Sequence, residues 1–234
     1  MVEGPQAVRE ALTAGGLLEL YALDPDDELA VCADAAGVPV VLVSAAALAA
    51  MAETVTPQGL VGVAGLLDVP LAEALTGAPR LVAVLHEVAD PGNAGTMIRT
   101  ADAAGAAAVV LTAGSVDPHG GKCVRASAGS LWHLPIVSGP ALPEVLVALH
   151  DAGLQVLATT GSGEHDLDDL VDGGVLDAPT AWVFGAEAHG LPAEVLAAAD
   201  RRVRIPLHGR AESLNVAAAA AVCLYGSARA HRAP

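Results

Sequence analysis

Five runs constrain this chain more than any other feature of it: Leu81 to Leu85, Ala107 to Leu111, Gln155 to Ala158, Ala181 to Phe184 and Val203 to Ile205. They are apolar almost throughout, so each reads as a strand covered on both faces rather than one with a wet side. The helical patterns between them, Ala94 to Ala104, Lys122 to Leu131, Pro143 to Ala152 and Pro192 to Ala199, supply the cover. This alternation predicts an α/β domain over 80–234, a parallel sheet with helices on both faces. Ligands of such sheets gather at the carboxyl ends of the strands, so function is expected in the loops that follow them.

The first part of the chain has a shorter rhythm. Gln6 to Ala14, Leu29 to Ala36 and Ala45 to Glu53 read as helices, the last capped by Ser44, and Leu18 to Ala22, Val38 to Val43 and Leu60 to Ala64 read as strands. We expect a small α/β domain over 1–75, joined to the larger one through the Pro70 to Pro79 stretch.

Composition narrows the function classes. Aromatic residues make up 2% of the chain, too few for the stacking platforms of single-strand binders. The longest apolar runs reach about half of the roughly 20 residues a membrane span needs, and the opening lacks a charged segment leading into an apolar one. A soluble, cytoplasmic protein without a membrane partner is expected. Cys32, Cys123 and Cys223 form no C-x-x-C pair and read as small core residues. The formal charge of −16 argues against nucleic acid. Its distribution argues less: residues 1–79 hold one Arg against eleven carboxylates, whereas Arg99, Lys122 with Arg125, and Arg201, Arg202, Arg204 and Arg210 bunch in the second part.

Three loops carry candidate chemistry. After the first large-domain strand comes Asp90-Pro91-Gly92-Asn93, with Arg99 less than two helical turns beyond Asn93. A turn followed by a capped helix explains it equally well. After Phe184 comes Gly185-Ala186-Glu187-Ala188-His189-Gly190, where two glycines permit close approach of backbone to a ligand and Glu187 places a carboxylate at a strand end. The alternative is a Gly-rich connection with a solvated Glu. After the last strand, Glu212, Ser213 and Asn215 stand at the mouth of the apolar run Val216 to Tyr225. A helix that apolar is expected to be buried nearly all round, and N-capping by Ser213 or Asn215 is the competing account of its polar entrance.

Other motifs fail on their chemistry. Gly120-Gly121-Lys122 is no phosphate loop, because Val116 stands where a Gly is required and Cys123 where Ser or Thr should hold magnesium. Gly161-Ser162-Gly163 is not a dinucleotide fingerprint, and Glu87 to Pro91 offers none after the first strand, which disfavours a nucleotide-dependent oxidoreductase. His86, His119, His189 and His208 read as surface or loop residues, and the acid run Asp166 to Asp172 as a solvated face or helix start.

Taken together, N-x-G-x-x-x-R at Asn93, G-x-E-x-x-G-L at Gly185, and I-P followed by S-L-N ending at Asn215 resemble the SpoU, or TrmH, branch of the SPOUT superfamily of RNA ribose 2′-O-methyltransferases. Val124 to Gly129 also matches, and Glu3 to Leu12 is similar to the L30e-like substrate-binding domain carried by many members. The resemblance implies a deep carboxy-terminal trefoil knot, S-adenosylmethionine as cofactor, and a homodimer whose active site draws on both subunits. By position it makes Asn93, Arg99, Glu187, Ser213 and Asn215 the catalytic and RNA-facing set. The cofactor is placed against Thr159, Thr160, Gly161, Gly185, Ala186, Glu187, Gly190, Ile205, Leu207, Ser213 and Leu214, largely through backbone groups, and RNA against Arg99, Lys122, Arg125 and Arg210. Ala186 departs from the polar residue frequent there, which a backbone-binding loop tolerates.

Such a reaction is an in-line displacement that requires no metal and no covalent intermediate, only alignment and help in removing the 2′ proton. A guanidinium has no acceptor, so Arg99 is expected to stabilise the developing alkoxide or meet a substrate phosphate rather than act as base. Glu187 is expected to orient Arg99 or Asn93, with a base acting through water as the other role open to it. Ribosomal RNA is the favoured substrate over transfer RNA, and a non-catalytic knotted RNA-binding protein is the alternative.

Overall fold

The computed structural model describes residues 1–186 and 189–232. The chain begins with β1 (Val2–Glu3), α1 (Pro5–Thr13), β2 (Leu17–Ala22), α2 (Glu28–Ala35), β3 (Val40–Leu42), α3 (Ala45–Met51) and β4 (Leu60–Ala64). These strands form a mixed sheet in the order β1-β4-β2-β3. Local chemistry sets the helix starts: the Asp27 carboxylate accepts the Leu29 N–H at 2.8 Å and the Ser44 hydroxyl accepts the Ala47 N–H at 3.2 Å.

Next come α4 (Leu71–Ala74), β5 (Leu81–Leu85), α5 (Pro91–Ala103), β6 (Ala108–Leu111), α6 (Gly121–Ser127), β7 (Ile136–Ser138), α7 (Leu142–Asp151) and β8 (Gln155–Thr159). The chain continues through β9 (His165–Asp166), α8 (Leu167–Asp172), β10 (Thr180–Phe184), α9 (Ala193–Ala198), β11 (Arg201–Arg204) and α10 (Val216–Ala230). The second sheet runs β7-β6-β5-β10-β8-β11-β9 with every neighbouring pair parallel. The central strands β5, β6 and β10 are apolar on both faces because both faces are packed, whereas β11, expected as an apolar run, is Arg201–Arg204 with only Val203 buried. Leu81, Ala83 and Leu85 join one core with Met97, Ile98 and the buried side of α10, while Val82 and Val84 join a second with Leu142, Val145 and Leu149. Trp182 pins β10 to α10 by donating its indole N–H to the Ser227 hydroxyl at 2.9 Å.

Several expectations need correction. The 70–79 stretch is more than a connector: α4 packs into the second core through Ala74 and Leu75, and the Val69 N–H bonds to the Ile136 carbonyl at 2.9 Å. The helix expected to run to Leu131 ends at Ser127, since Ala128 (φ 50°) and Gly129 (φ 99°) turn left-handed. Cys32 is exposed, and His86 is buried. The terminal helix is buried on one side only: Ala217, Ala220, Cys223, Leu224, Ser227 and Ala228 face inward, while Val222 and Tyr225 are 43% and 51% exposed. No helix among the described residues is long and apolar enough to cross a membrane.

Candidate active site

Three loops leave the carboxyl ends of β8, β10 and β11 and meet in a cleft of about 420 Å³. Its lining contains Thr159, Thr160 and Gly161 after β8, Gly185, Ala186 and Gly190 after β10, and Ile205, Leu207, Ser213 and Leu214 after β11. Every described residue that the sequence placed against a cofactor is therefore in one wall or another. Glu187 lies outside the described residues.

The loop after β10 folds back on itself, with the Gly190 N–H on the Ala186 carbonyl at 2.9 Å. A Cβ on Gly185 would stand 2.4 Å from the Gly190 carbonyl carbon, so only glycine lets the two limbs close this tightly. The loop after β8 is tied down by the Thr160 N–H to the Val203 carbonyl at 2.9 Å and by the Thr159 hydroxyl to the Val183 carbonyl at 3.0 Å. Both bonds leave the Gly161 edge open to the cleft.

Sequence reasoning missed five lining residues: Val203, Glu212, Asn215 as a wall, Val216 and Ala219. Glu212 had a signal, since it sits in the polar mouth of α10. Val216 and Ala219 are spaced three apart on one helix face, a pattern that core packing also produces.

Asn215 caps α10 through its side-chain oxygen, which accepts the Ala217 N–H at 2.9 Å, and its amide donates to the Asn93 Oδ1 at 3.1 Å. Capping and site-building are thus the two ends of one side chain. The positive end of the α10 dipole faces the cleft. Asn93 is placed from the other side by Asp90, which caps α5 by accepting the Asn93 N–H at 2.8 Å and binds the Lys122 ammonium at 2.9 Å. The Lys122 contact, then the Asn93 N–H, hold the Asp90 carboxyl below its ordinary range.

The cations divide into two groups. Arg99 and Arg210 are exposed and make no hydrogen bond or ion pair among the described residues, and neither lines the cleft. Lys122 is paired with Asp90, and Arg125 with Glu3 at 3.2 Å and Glu53 at 3.4 Å. Arg202 and Arg204 grip Glu164 and Asp166 in bidentate pairs that pull both carboxyls down. The positive bunch seen in the sequence is therefore largely neutralised internally.

A parallel-sheet α/β chain whose glycine-lined cleft is roofed by the loop leading into its last helix belongs to a ligand-binding class defined by its strand-end loops. The comparisons give the family. Residues 80–225 match the SpoU rRNA methylase family and residues 1–68 match the RNA 2′-O ribose methyltransferase substrate-binding family, and the chain belongs to the SpoU rRNA methylase family. It is 36% identical over 226 residues to the 23S rRNA (guanosine(2553)-2′-O)-methyltransferase RlmP of Bacillus subtilis, covering 96% of this chain and 86% of that one. With the 23S rRNA (guanosine-2′-O-)-methyltransferase RlmB of a Burkholderia species it shares 36% identity over 159 residues, which are 68% of this chain and 62% of that one. The AdoMet-bound rRNA methyltransferase of Sinorhizobium meliloti superposes with a TM-score of 0.85 at 32% identity, over 99% of this chain and 87% of that one. The SpoU methyltransferase AviRb of Streptomyces viridochromogenes, in complex with AdoMet, gives 0.84 at 27%, over 97% and 88%.

Proposed function

We propose that this protein transfers a methyl group from S-adenosylmethionine to a ribose 2′-hydroxyl of 23S ribosomal RNA in the cytoplasm, residues 1–75 engaging the RNA and 80–234 performing the chemistry. The observation that carries this reading is the convergence of the three strand-end loops on one cleft, with the Asn93–Asn215 bond joining helices α5 and α10 beside it. The cleft fits the cofactor in size, since small-molecule sites run from about 300 to 1,000 Å³. It also fits in chemistry. Val203, Ile205, Leu207 and Leu214 offer apolar walls to a purine, backbone groups of the glycine loops face it, and among the described residues Glu212 places a carboxylate in the lining for a cationic ligand.

When bound, S-adenosylmethionine supplies an activated methyl on a sulfonium. The protein's part is alignment. Asn215 and Ser213 orient the ribose and its phosphate from the α10 side, and Asn93 does so from α5. Arg99 stabilises the developing alkoxide, and a guanidinium, which carries donors and no acceptor, does not serve as the base. Its place on α5 outside the lining supports a homodimer in which the partner protomer completes the site. The exposed apolar side of α10, with Val222 and Tyr225, supports the same reading as a surface for that partner. In this reading Glu187 orients Arg99 or Asn93, Arg210 meets RNA phosphate, and the segment Ile205 to Asn215 is the threaded part of a trefoil knot.

Ribose-methylation mapping of total RNA with and without the gene tests the function. A single 2′-O-methyl lost from 23S rRNA is expected, with the guanosine methylated by the Bacillus relative the first position to inspect; a loss confined to transfer RNA overturns the substrate. Calorimetry with S-adenosylmethionine separates catalysis from a non-catalytic RNA-binding role, which predicts no binding. Arg99→Lys is expected to lower turnover with RNA binding retained, and near-parental turnover overturns the guanidinium role.

A further inference from the structure

Lys122, on the surface, and Arg125, half-buried, are both held by carboxylates of the same chain, and what they touch forms a continuous path. Arg125 reaches back to the first unit, where its guanidinium meets Glu3 and Glu53. The Glu3 carboxylate is itself fixed, with its side chain 9% exposed and accepting the Glu53 N–H at 3.1 Å, the Thr54 N–H at 3.3 Å and the Thr54 hydroxyl. Three residues earlier on α6, Lys122 holds Asp90, and Asp90 holds the Asn93 N–H. The two helices cannot slide independently. A Cβ on Gly95 would fall 2.5 Å from the Cys123 carbonyl oxygen and 2.6 Å from the Ala126 Cβ, so α5 lies directly on the α6 backbone at Gly95.

Resting on the methyltransferase reading above, we propose that Lys122 and Arg125 are positioning residues: helix α6 ties the amino-terminal unit to Asn93, so that seating this unit on RNA sets the catalytic asparagine pair. The path runs Glu3 and Glu53, Arg125, α6, Lys122, Asp90, Asn93 and Asn215, and each step is a direct contact. His133, just beyond α6, adds a second tie between the units through Glu10 at 3.3 Å and Asp102 at 2.7 Å. A displacement of about 1 Å at the reacting groups costs on the order of a hundredfold in rate, so a slackened tie is expected to cost about tenfold. Phosphate contacts would behave otherwise. Each one lost reduces the slope of log K against log salt by about one.

The test uses the full chain and three variants, Arg125→Gln, Arg125→Lys and Lys122→Gln, with protein-free 23S rRNA. For both glutamine variants we expect kcat to fall about tenfold, KM for RNA to stay within about twofold and the salt slope of RNA binding to be unchanged, with Arg125→Lys recovering part of the rate. Hydrogen exchange gives an activity-independent readout: the amides of Asn93 and Ala94 should exchange faster in Arg125→Gln, and those of α7 at the parental rate. A shallower salt slope with weakened RNA binding makes these residues phosphate contacts and overturns the proposal. Unchanged kcat, or unchanged exchange at Asn93, also overturns it. A parent that binds no S-adenosylmethionine refutes the proposed function instead, and the exchange experiment then still decides whether the tie exists.

Discussion

Replacing Asn215 separates its two jobs. Asn215→Ala removes the cap on Ala217, worth about 1 kcal/mol within a range of roughly 0.5–2, and the exposed amide bond to Asn93, worth about 0.5 kcal/mol at the low end for a neutral pair. For a domain this size each kcal/mol shifts Tm by about 2–4 °C, so a fall of about 3–6 °C is expected. Asn215→Asp keeps an oxygen for the cap, which the helix dipole favours, but has no N–H to give Asn93. Its Tm should stay within about 2 °C of the parent. Both variants should lose methyl transfer by about ten- to a hundredfold, because both remove the amide bond from residue 215 to Asn93. The assays are thermal unfolding by circular dichroism and single-turnover transfer from labelled S-adenosylmethionine to 23S rRNA. If Asn215→Asp recovers activity together with stability, Asn215 is a cap and nothing more. If it melts as low as Asn215→Ala, the cap itself has been misread.

Other consequences are open to measurement. Gly185→Ala should force the Gly190 limb away and weaken S-adenosylmethionine binding at least tenfold by calorimetry, with about 1–3 kcal/mol of overpacking read in denaturant; unchanged affinity would show that loop closure does not shape the cleft. His133 has its pKa raised by the Asp102 hydrogen bond first and the Glu10 bond second. Its stabilising effect is therefore full below the ordinary imidazole value near 6.5 and lost as pH climbs through the raised folded value. The Tm gap between the parent and His133→Gln should accordingly narrow from pH 6 to pH 9, and a gap that widens refutes the sign. Among the thiols, burial first and then Asp117 and Asp90 push Cys123 up to about 12, and burial alone pushes Cys223 higher still, while Cys32 is exposed. A thiol reagent at pH 8 should label Cys32 alone in the native protein and all three cysteines after unfolding.

The periodic elements were legible because their information is local. Leu60 to Ala64 and Leu81 to Leu85 are strands at the residues that pattern predicts, and Ser44 caps the helix it precedes. The motif loops were legible for a related reason: glycines and asparagines at strand ends mark where backbone must turn sharply or approach a ligand. β7 and β9 escaped notice because three- and two-residue strands carry too few positions for a period to register. The connector's burial escaped because α4 is a single turn stabilised by the sheet it meets.

By itself, then, the sequence determined where helices and strands form, which loops could host chemistry, and that a large parallel sheet had to be covered twice. Which charges remain available was decided only by the tertiary structure. Arg125 and Glu3 are 122 residues apart in the chain and 3.2 Å apart in space, and Arg202 and Arg204 find their carboxylates 38 residues away. Charge composition cannot anticipate such pairs, because an ion pair depends on distance after folding and the pattern of a strand or helix depends only on its neighbours. The same cause buried His86, exposed Cys32 and left one side of α10 bare. Periodicity fixes which residues share a face, and the packing of distant segments decides what that face meets.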